Sequence, residues 1–271
     1  MVEQGYVESV GANYAPGDLG DVILAGLRAA GKDVDALRPE DLAPVDQFHL
    51  GGKNATDALI QRAGLGPEMH VLDIGGGLGG PARTLAMNIG CHITVLDLTE
   101  EYCRVGEMLT ARTGLSDRVS FQHGNALEMS FADCSFDAVW TQHATMNIED
   151  KERLYAEIHR VLRPGGRHAL HEVMAGPVQP IHFPVPWAYD ATISFLRPAE
   201  AVRTLLKETG FTELVWVEIP SPVPPPVPTS GGAPPLGLHL VLSDFAARGR
   251  NFGRNLREDR VRVIQGVFER P

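Results

Sequence analysis

The chain has 271 residues, a formal net charge of −10 and 44% hydrophobic residues, a composition typical of a folded globular protein. The acidic balance argues against nucleic acid as a substrate, because phosphate binding needs clustered Lys and Arg side chains. No apolar run approaches the roughly 20 residues that span a bilayer, and the first residues resemble no signal peptide, so we expect a cytoplasmic protein without a membrane span.

The first 66 residues are expected to form an arm and a set of cap helices ahead of a core domain at 67–271. Residues 1–16 are predicted to be a loose arm, and helices are predicted over 18–30, after Pro39 and over 54–63.

Between the last two of these helices, Asp46, Phe48 and His49 precede the pair Gly51-Gly52.

A strand, a glycine-rich turn and a helix follow one another over residues 69–81. The apolar strand carries Asp73 near its end, and five of the six residues from Gly75 to Gly80 are glycine. Glycine permits positive φ and close approach of a ligand, and Pro81 suits the first turn of a helix whose free N–H groups face that ligand. The turn predicts a nucleotide-like ligand, with Asp73, Gly75, Gly77 and Gly79 as binding residues.

The glycines alone also satisfy the dinucleotide pattern GxGxxG, which leaves a nicotinamide-dependent oxidoreductase as an alternative. Asp73 separates the two hypotheses, because a carboxylate would repel a pyrophosphate and would attract an ammonium group.

Strands and helices alternate through the rest of the chain. Strands are predicted over 92–97, 118–122, 136–141, 167–173, 212–219 and 261–268, and helices from Thr99, over 148–162 and over 198–209. Arg163-Pro164-Gly165-Gly166 is predicted to be a turn. This order predicts an α/β, Rossmann-like, seven-stranded and mostly parallel sheet with helices on both faces.

Ligands of such sheets bind beyond the carboxyl ends of the strands. Asp97 closes the second strand, where its carboxylate could accept hydrogen bonds from ribose hydroxyls.

The chain over residues 46–211 resembles the class I S-adenosylmethionine-dependent methyltransferases of the small-molecule type. It is most similar to the sarcosine/dimethylglycine, phosphoethanolamine and ubiquinone-biosynthesis enzymes. The motifs that carry the resemblance are Asp73 to Gly80, Asp97-Leu98-Thr99, Ser135-Phe136-Asp137 and Arg163-Pro164-Gly165-Gly166.

The resemblance implies S-adenosylmethionine as the cofactor, with Asp73 near its methionine amino end. It implies that Leu98 lies beside Asp97 at the cofactor, that Asn125 and Ala126 form the adenine loop, and that the backbone at Gln142 meets the methionine portion. Family members more often carry Asp where this chain has Asn125. Their N-terminal helices commonly lie across the cofactor, so the resemblance makes His49 a candidate for substrate contact.

Three residues at strand ends are candidates for proton removal from the acceptor: His143 after the fourth strand, and His171 with Glu172 at the end of the fifth. An ordinary histidine pKa near 6.5 suits this task, and His143 is the leading candidate. His171 and Glu172 point to opposite faces of their strand, so at most one is expected to face the substrate.

Two lid insertions, at about 174–197 and 220–258, are expected to select the substrate. The first contains Phe183, Trp187 and Tyr189, which are candidates for an apolar or cation-binding wall. The second has seven prolines and three glycines over 221–237 and then an Arg-bearing helix near 244–257.

The sequence thus predicts an enzyme that transfers a methyl group to an oxygen or nitrogen of a small-molecule acceptor. Carbon methylation of an isoprenoid or quinone-like acceptor, an oxidoreductase and a non-catalytic cofactor-binding module remain alternatives. The three cysteines, Cys91, Cys103 and Cys134, lack the spacing of a zinc site, so no metal is expected. The oligomeric state stays open, a homodimer included.

Overall fold

The structure is a computed structural model that describes residues 19–220 and 236–271. The predicted arm at 1–16 and residues 221–235 of the Pro-rich stretch lie outside the described residues. Within the described residues, no helix is long and apolar enough to cross a membrane.

The seven predicted strands are all present. They are β1 His70–Ile74, β2 His92–Asp97, β3 Val119–His123, β4 Phe136–Gln142, β5 Leu162–Ala175, β6 Thr212–Glu218 and β7 Val261–Glu269. They form one sheet in the order β3-β2-β1-β4-β5-β7-β6, in which only β7 runs antiparallel to its neighbours. The predicted α/β Rossmann-like fold with a mostly parallel sheet is therefore confirmed.

Eight α-helices lie within the described residues. They are α1 Leu19–Ala29, α2 Pro39–Asp46, α3 Gly52–Ala63, α4 Gly80–Ile89, α5 Glu100–Arg112, α6 Lys151–Val161, α7 Ala199–Glu208 and α8 Phe245–Arg257.

Helices cover both faces of the sheet because the side chains of each strand alternate between the two faces. In β1, Leu72 and Ile74 pack with apolar residues of α6 and α7. Val71 points to the other face, where it packs with residues of α3 and α4. A third cluster joins α1, α2 and α5 at the edge of the core.

The main departure from the sequence prediction concerns residues 163–166. α6 ends at Val161 as expected, but the Arg-Pro-Gly-Gly stretch lies within the long strand β5 rather than in a separate turn. The register between β4 and β5 slips there, and Gly165 has a φ of 78°, so the stretch forms an irregularity inside the strand. The proposed division at residue 66 stays a prediction.

The described parts of the two segments predicted to be lid insertions pack together near the carboxyl ends of the strands. Trp187 and Val185 of the first share a cluster with Phe252 and Leu256 of α8. We call residues 178–189 the lid loop and α8 the lid helix.

Candidate active site

A cavity of about 290 Å³ opens at the carboxyl edge of the sheet. On one side it is lined by the ends of β1, β2, β3 and β4 and the turns that follow them. On the other side the described lining residues come from the segment at 46–50, the lid loop, the lid helix and residues 238–242. The cavity lies where the topology of a parallel sheet places a ligand.

Asp73 is the most unusual residue of the cavity. Its side chain is 0% exposed, and neither carboxylate oxygen has a hydrogen-bond partner among the described residues. Burial, and secondarily the nearby Asp97 carboxylate, raise the pKa of Asp73 to about 8. A buried carboxyl group without a partner is costly, so it is suited to a ligand that brings its own cationic donor.

The glycine turn brings its own backbone close to the Asp73 carboxyl group, because glycine has no Cβ. Gly75 and Gly77 line the cavity with φ of 66° and 55°, and a Cβ on Gly75 would lie 2.6 Å from that of Ala144. A Cβ on Gly76 would lie 2.6 Å from the Asp73 carboxylate. Gly79 does not line the cavity among the described residues; it caps α4 with a φ of 80°.

The Asp97 carboxylate is oriented by backbone groups. The N–H of Gly77 donates to one oxygen at 2.9 Å, and the N–H of Thr99 donates to the other at 2.9 Å. Burial raises the pKa of Asp97, and these two backbone hydrogen bonds oppose the rise. The fixed carboxylate faces the cavity beside Leu98, where hydroxyl groups of a ligand could still be bound.

Asn125, Ala126 and Gln142 line the same side of the cavity. Asn125 Oδ1 accepts a hydrogen bond from the N–H of Leu127, which fixes this loop. Gln142 Oε1 accepts from Trp140 Nε1 at 2.8 Å and from the Thr56 hydroxyl, whereas its Nε2 is buried without a partner among the described residues.

Three histidines from distant parts of the sequence meet at the cavity. His143 stacks on His171, with ring centroids 5.1 Å apart, and His49 meets both rings edge-on at 6.2 and 5.8 Å. His143 and His49 line the cavity. His171 does not, and its Nε2 bonds the carbonyl of Leu50 at 3.0 Å behind the His143 ring.

His143 lies in the left-handed region, with φ of 51°, and its Nε2 is buried without a partner in the described chain. Burial, His171 and His49 lower the pKa of His143 well below 6.5. Burial also lowers the pKa of His49 to about 3 and that of His171 to about 4. The expected pKa near 6.5 for His143 is therefore wrong, because the ring is removed from water among two other imidazoles.

Glu172 is buried behind the turn that follows β4 and does not line the cavity. Its two oxygens accept hydrogen bonds from the N–H groups of Ala144 (3.3 Å) and Thr145 (3.2 Å). Burial raises the pKa of Glu172 to about 7, against these hydrogen bonds. The geometry places this carboxylate where it holds the turn that carries His143.

The three lid aromatics are placed differently. Trp187 lines the cavity, and its Nε1 donates to Ser194 Oγ at 3.0 Å. Phe183 packs at the edge of the lid cluster, and Tyr189 is 58% exposed with Arg248 5.6 Å above its ring. Neither Phe183 nor Tyr189 is among the described lining residues.

Sequence reasoning missed several lining residues, among them Met146 and Asn147 after β4, and Phe252 of the lid helix. It also missed the fully buried ion pair between Asp46 and Arg83, at 2.9 Å. This pair fixes α2 against α4, and the other oxygen of Asp46 stays without a partner in the described chain. No motif marks these residues, because they meet only through tertiary packing.

The comparisons with known proteins agree with this geometry. Residues 72–170 match the family model described as a methyltransferase domain. Sterol 24-C-methyltransferase of Gibberella zeae is 40% identical over 114 residues, which are 42% of this chain and 30% of that protein. Glycine/sarcosine/dimethylglycine N-methyltransferase of Actinopolyspora halophila is 30% identical over 132 residues, 49% of this chain and 23% of that protein.

Among solved structures, geranyl diphosphate C-methyltransferase from Streptomyces coelicolor A3(2) has a TM-score of 0.69 at 18% identity. The superposition covers 98% of each chain. The chain spans less than half the length of the curated relatives it matches.

The strand order, the reversed β7 and the matched segment together define a class I S-adenosylmethionine-dependent methyltransferase fold. Within this fold, residues 72–170 are the segment that matches the methyltransferase-domain model.

The residues present fit the cofactor of that class. The unpartnered oxygens of Asp73 suit an ammonium group, and Gly75 and Gly77 leave space that a side chain would fill. Asp97 suits vicinal hydroxyls. Within residues 19–220 and 236–271, no group of three or more His, Cys, Asp or Glu side chains is placed to hold a metal ion.

Proposed function

We propose that the protein transfers a methyl group from S-adenosylmethionine to a small-molecule acceptor bound in the cavity. The observation that carries this proposal is the Asp73 carboxyl group, which is fully buried at the cavity and has neither oxygen hydrogen-bonded in the described chain. An ammonium group would satisfy it, and a pyrophosphate would not. This feature disfavours the nicotinamide-dependent alternative.

In this proposal, Asp73 binds the amino group of the cofactor. The absence of side chains at Gly75 and Gly77 lets the cofactor lie close to the backbone of the turn. Asp97 accepts from the ribose hydroxyls, with Leu98, Asn125 and Ala126 around the adenine and Gln142 near the methionine portion. Gly79 contributes indirectly, by starting the helix that follows the turn. S-adenosylmethionine would supply an electrophilic methyl group on its sulfonium.

His143 is the leading candidate to receive a proton from an oxygen or nitrogen acceptor. Its Nε2 is free of described partners at the cavity, and its lowered pKa keeps the ring neutral at pH 7 and able to accept. The same lowered pKa makes it a weak base, so it would act only as the acceptor atom becomes acidic during transfer. His49 and Trp187 contact the acceptor from the cavity wall in this proposal.

The positions of His171 and Glu172 indicate that these residues hold His143 in place. His171 stacks behind His143, and Glu172 holds the backbone of the turn. Neither is among the described lining residues, so we propose that both position His143 and that neither removes the proton directly.

Carbon methylation is the second candidate. The weak basicity of His143 and the apolar wall at Met146, Trp187 and Phe252 favour an acceptor whose nucleophile is a carbon–carbon double bond. Such an acceptor needs no base before the methyl group arrives, and proximity and orientation supply most of the catalysis.

Isothermal titration calorimetry tests the proposal. S-adenosylhomocysteine should bind with one site per chain, and NADH should not. Asp97→Asn should weaken binding by about 1–3 kcal/mol, because one carboxylate acceptor is lost. Asp35→Asn, at an exposed ion pair with Arg112, is the matched control and should bind normally.

The reverse preference, for NADH over S-adenosylhomocysteine, would overturn the cofactor assignment. Binding of the cofactor without methyl transfer to any of a broad panel of acceptors, followed with labelled S-adenosylmethionine, would favour the cofactor-binding module.

A further inference from the structure

The wall of the cavity opposite the glycine turn is apolar. Its described members come from the turn after β4, the lid loop, the segment at 238–242 and the lid helix: Met146, Ile148, Trp187, Leu242, Phe245 and Phe252. Apart from His143 and His49, the polar side chain that this wall contributes is Asn147, whose Nδ2 donates to the carbonyls of Trp187 and Ile193. The Asn147 amide hydrogens are thus used within the protein.

No lysine or arginine lines the cavity in the described part of the chain. The acidic side chains that line it are those of Asp46, Asp73 and Asp97. Among these three, within the described residues, Asp46 alone has a cationic partner, the buried Arg83. The segments 1–18 and 221–235 contain neither lysine nor arginine in their sequence.

Two buried cations close in sequence to residues of the apolar wall are committed to carbonyl groups. Lys151 Nζ donates to the carbonyls of Thr145 (2.9 Å) and Ile148 (2.8 Å), and its side chain is buried. Arg248 is also buried and donates to the carbonyls of Ser243 and Val185.

Two backbone N–H groups of the turn after β4 are committed as well. Those of Ala144 and Thr145, which could otherwise bind an anion, donate to Glu172. The two lining histidines do not replace a cation, since burial lowers the pKa of both His49 and His143 far below neutral pH.

We propose that the acceptor is a neutral, largely apolar molecule and that the cavity excludes acceptors that carry a phosphate or carboxylate. This inference rests on the proposed function and adds the chemical class of its acceptor. An anionic group of the acceptor placed against this apolar wall would lose its water without gaining a cationic partner.

The inference separates this chain from two of the proteins it is similar to. The names of those proteins give geranyl diphosphate and dimethylglycine as acceptors, which carry a diphosphate and a carboxylate. A sterol, the acceptor in the name of the third, carries no such group.

The test uses 1-octanol, octyl phosphate, octanoate and octylamine, which share one chain and differ in the charge of the head group. Each is titrated by calorimetry at pH 7.5 into the free protein and into the protein saturated with S-adenosylhomocysteine. We expect octanol to bind at least ten-fold more tightly than octyl phosphate and octanoate in both states. Once S-adenosylhomocysteine occupies Asp73, octanol should also bind at least ten-fold more tightly than octylammonium.

A matched pair of variants tests the cause. Gly249 lies in the lid helix and lines the cavity, and a Cβ there would have no atom within 4 Å. Gly249→Lys should improve the binding of octyl phosphate at least ten-fold, because it adds the missing cation. Gly249→Met adds similar bulk without charge and should not improve it.

Equal or tighter binding of octyl phosphate or octanoate to the unaltered protein would overturn the inference, as would a failure of octanol to bind in either state. Equal or tighter binding of octylammonium to the protein saturated with S-adenosylhomocysteine would overturn the neutral character of the acceptor. S-adenosylhomocysteine is titrated separately. Its failure to bind would overturn the proposed function, while the octyl series on the free protein would still report on the cavity.

Discussion

Asp73 shows how a single residue can define a ligand. Every other buried carboxyl group at the cavity has at least one hydrogen bond in the described chain: Asp97 to two N–H groups and Asp46 to Arg83. Asp73 has none, and its pKa is raised to about 8 by burial first and by Asp97 second. The free protein therefore holds this group mostly protonated at neutral pH.

A pH dependence of cofactor binding follows. An ammonium group favours the ionised carboxylate, so a proton must leave Asp73 when the cofactor binds. Below the pKa of about 8, the affinity for S-adenosylhomocysteine should rise by up to about ten-fold per pH unit between pH 6 and 8. Calorimetry in buffers of different ionisation enthalpy should detect the released proton.

Asp73→Asn is the control for this experiment, because it keeps the shape and removes the titration. It should bind the cofactor more weakly and with little pH dependence over the same range. An unchanged slope in this variant would assign the pH dependence to another group.

His143 is the second residue whose environment decides its chemistry. Its φ of 51° is tolerated by asparagine, so His143→Asn removes the imidazole with little backbone strain. If the ring receives the proton of an oxygen or nitrogen acceptor, kcat should fall by roughly 10²–10⁴-fold while S-adenosylhomocysteine binding stays intact.

The pH profile gives a second measurement of this prediction. The lowered pKa of His143 should place the acidic limb of kcat well below pH 6.5 in the unaltered enzyme, and the variant should lose that limb. A kcat of the variant within about three-fold of the unaltered enzyme corresponds to a change of under ~1 kcal/mol in the activation barrier. Such a result would reject His143 as the base and favour a carbon acceptor.

At the scale of the element, a short 3₁₀ turn at Thr145–Asn147 connects the core to the lid. Glu172 accepts from the N–H groups on one side of this turn, and Lys151 donates to the carbonyls on the other. Asn147 then donates to the carbonyl of Trp187 in the lid loop. Two buried charged side chains therefore set the position of the wall that the acceptor would meet.

Glu172→Gln should lower the free energy of unfolding by about 1–3 kcal/mol, because the amide cannot accept from both buried N–H groups. It should also raise the acceptor KM more than the Kd of S-adenosylhomocysteine, since the displaced turn carries His143, Met146 and Asn147. Urea unfolding and steady-state kinetics measure the two effects.

Glu152→Gln is the matched control for Glu172→Gln. Its ion pair with Arg197 lies at the surface, so its loss should cost under ~1 kcal/mol and leave KM unchanged. If Glu172→Gln raises the acceptor KM and the Kd of S-adenosylhomocysteine by the same factor, Glu172 supports the whole fold rather than the turn.

At the scale of the whole molecule, two insertions distant in sequence act as one cover. Asn255 of the lid helix exchanges two hydrogen bonds with the backbone of His182, at 2.8 and 2.9 Å. Asn251 donates to the carbonyl of Pro184, and Arg248 donates to that of Val185. These contacts bind the lid helix to the lid loop above the carboxyl ends of the strands.

The acidic charge of the chain also acts at this scale. The chain has a net charge of −10. The described lining of the cavity includes carboxyl groups and no lysine or arginine. Both features favour a cationic cofactor and disfavour anionic acceptors. The charge of the chain and the charges at the cavity thus have the same sign.

The sequence by itself determined the sheet, the glycine turn and the position of Asp73. Strand patterns and turn residues act over a few neighbours, which is why β2 was predicted with its observed bounds and the other strands to within a few residues at most ends. The interruption at 163–166 is predicted to separate α6 from β5. In the structure, Leu162 already pairs with Phe136 of β4, and Gly165 and Gly166 exchange backbone hydrogen bonds with Arg270, so the strand continues through it.

Only the tertiary structure decided which strand-end residues face the cavity. His49, His143 and His171 are far apart in sequence, and their mutual burial, which lowers each pKa, exists only after folding. Glu172 is committed to backbone N–H groups by a turn 27 residues away in sequence. Alternation along a strand gives the face of a side chain, whereas its partners depend on loops whose paths are set by packing across the whole molecule.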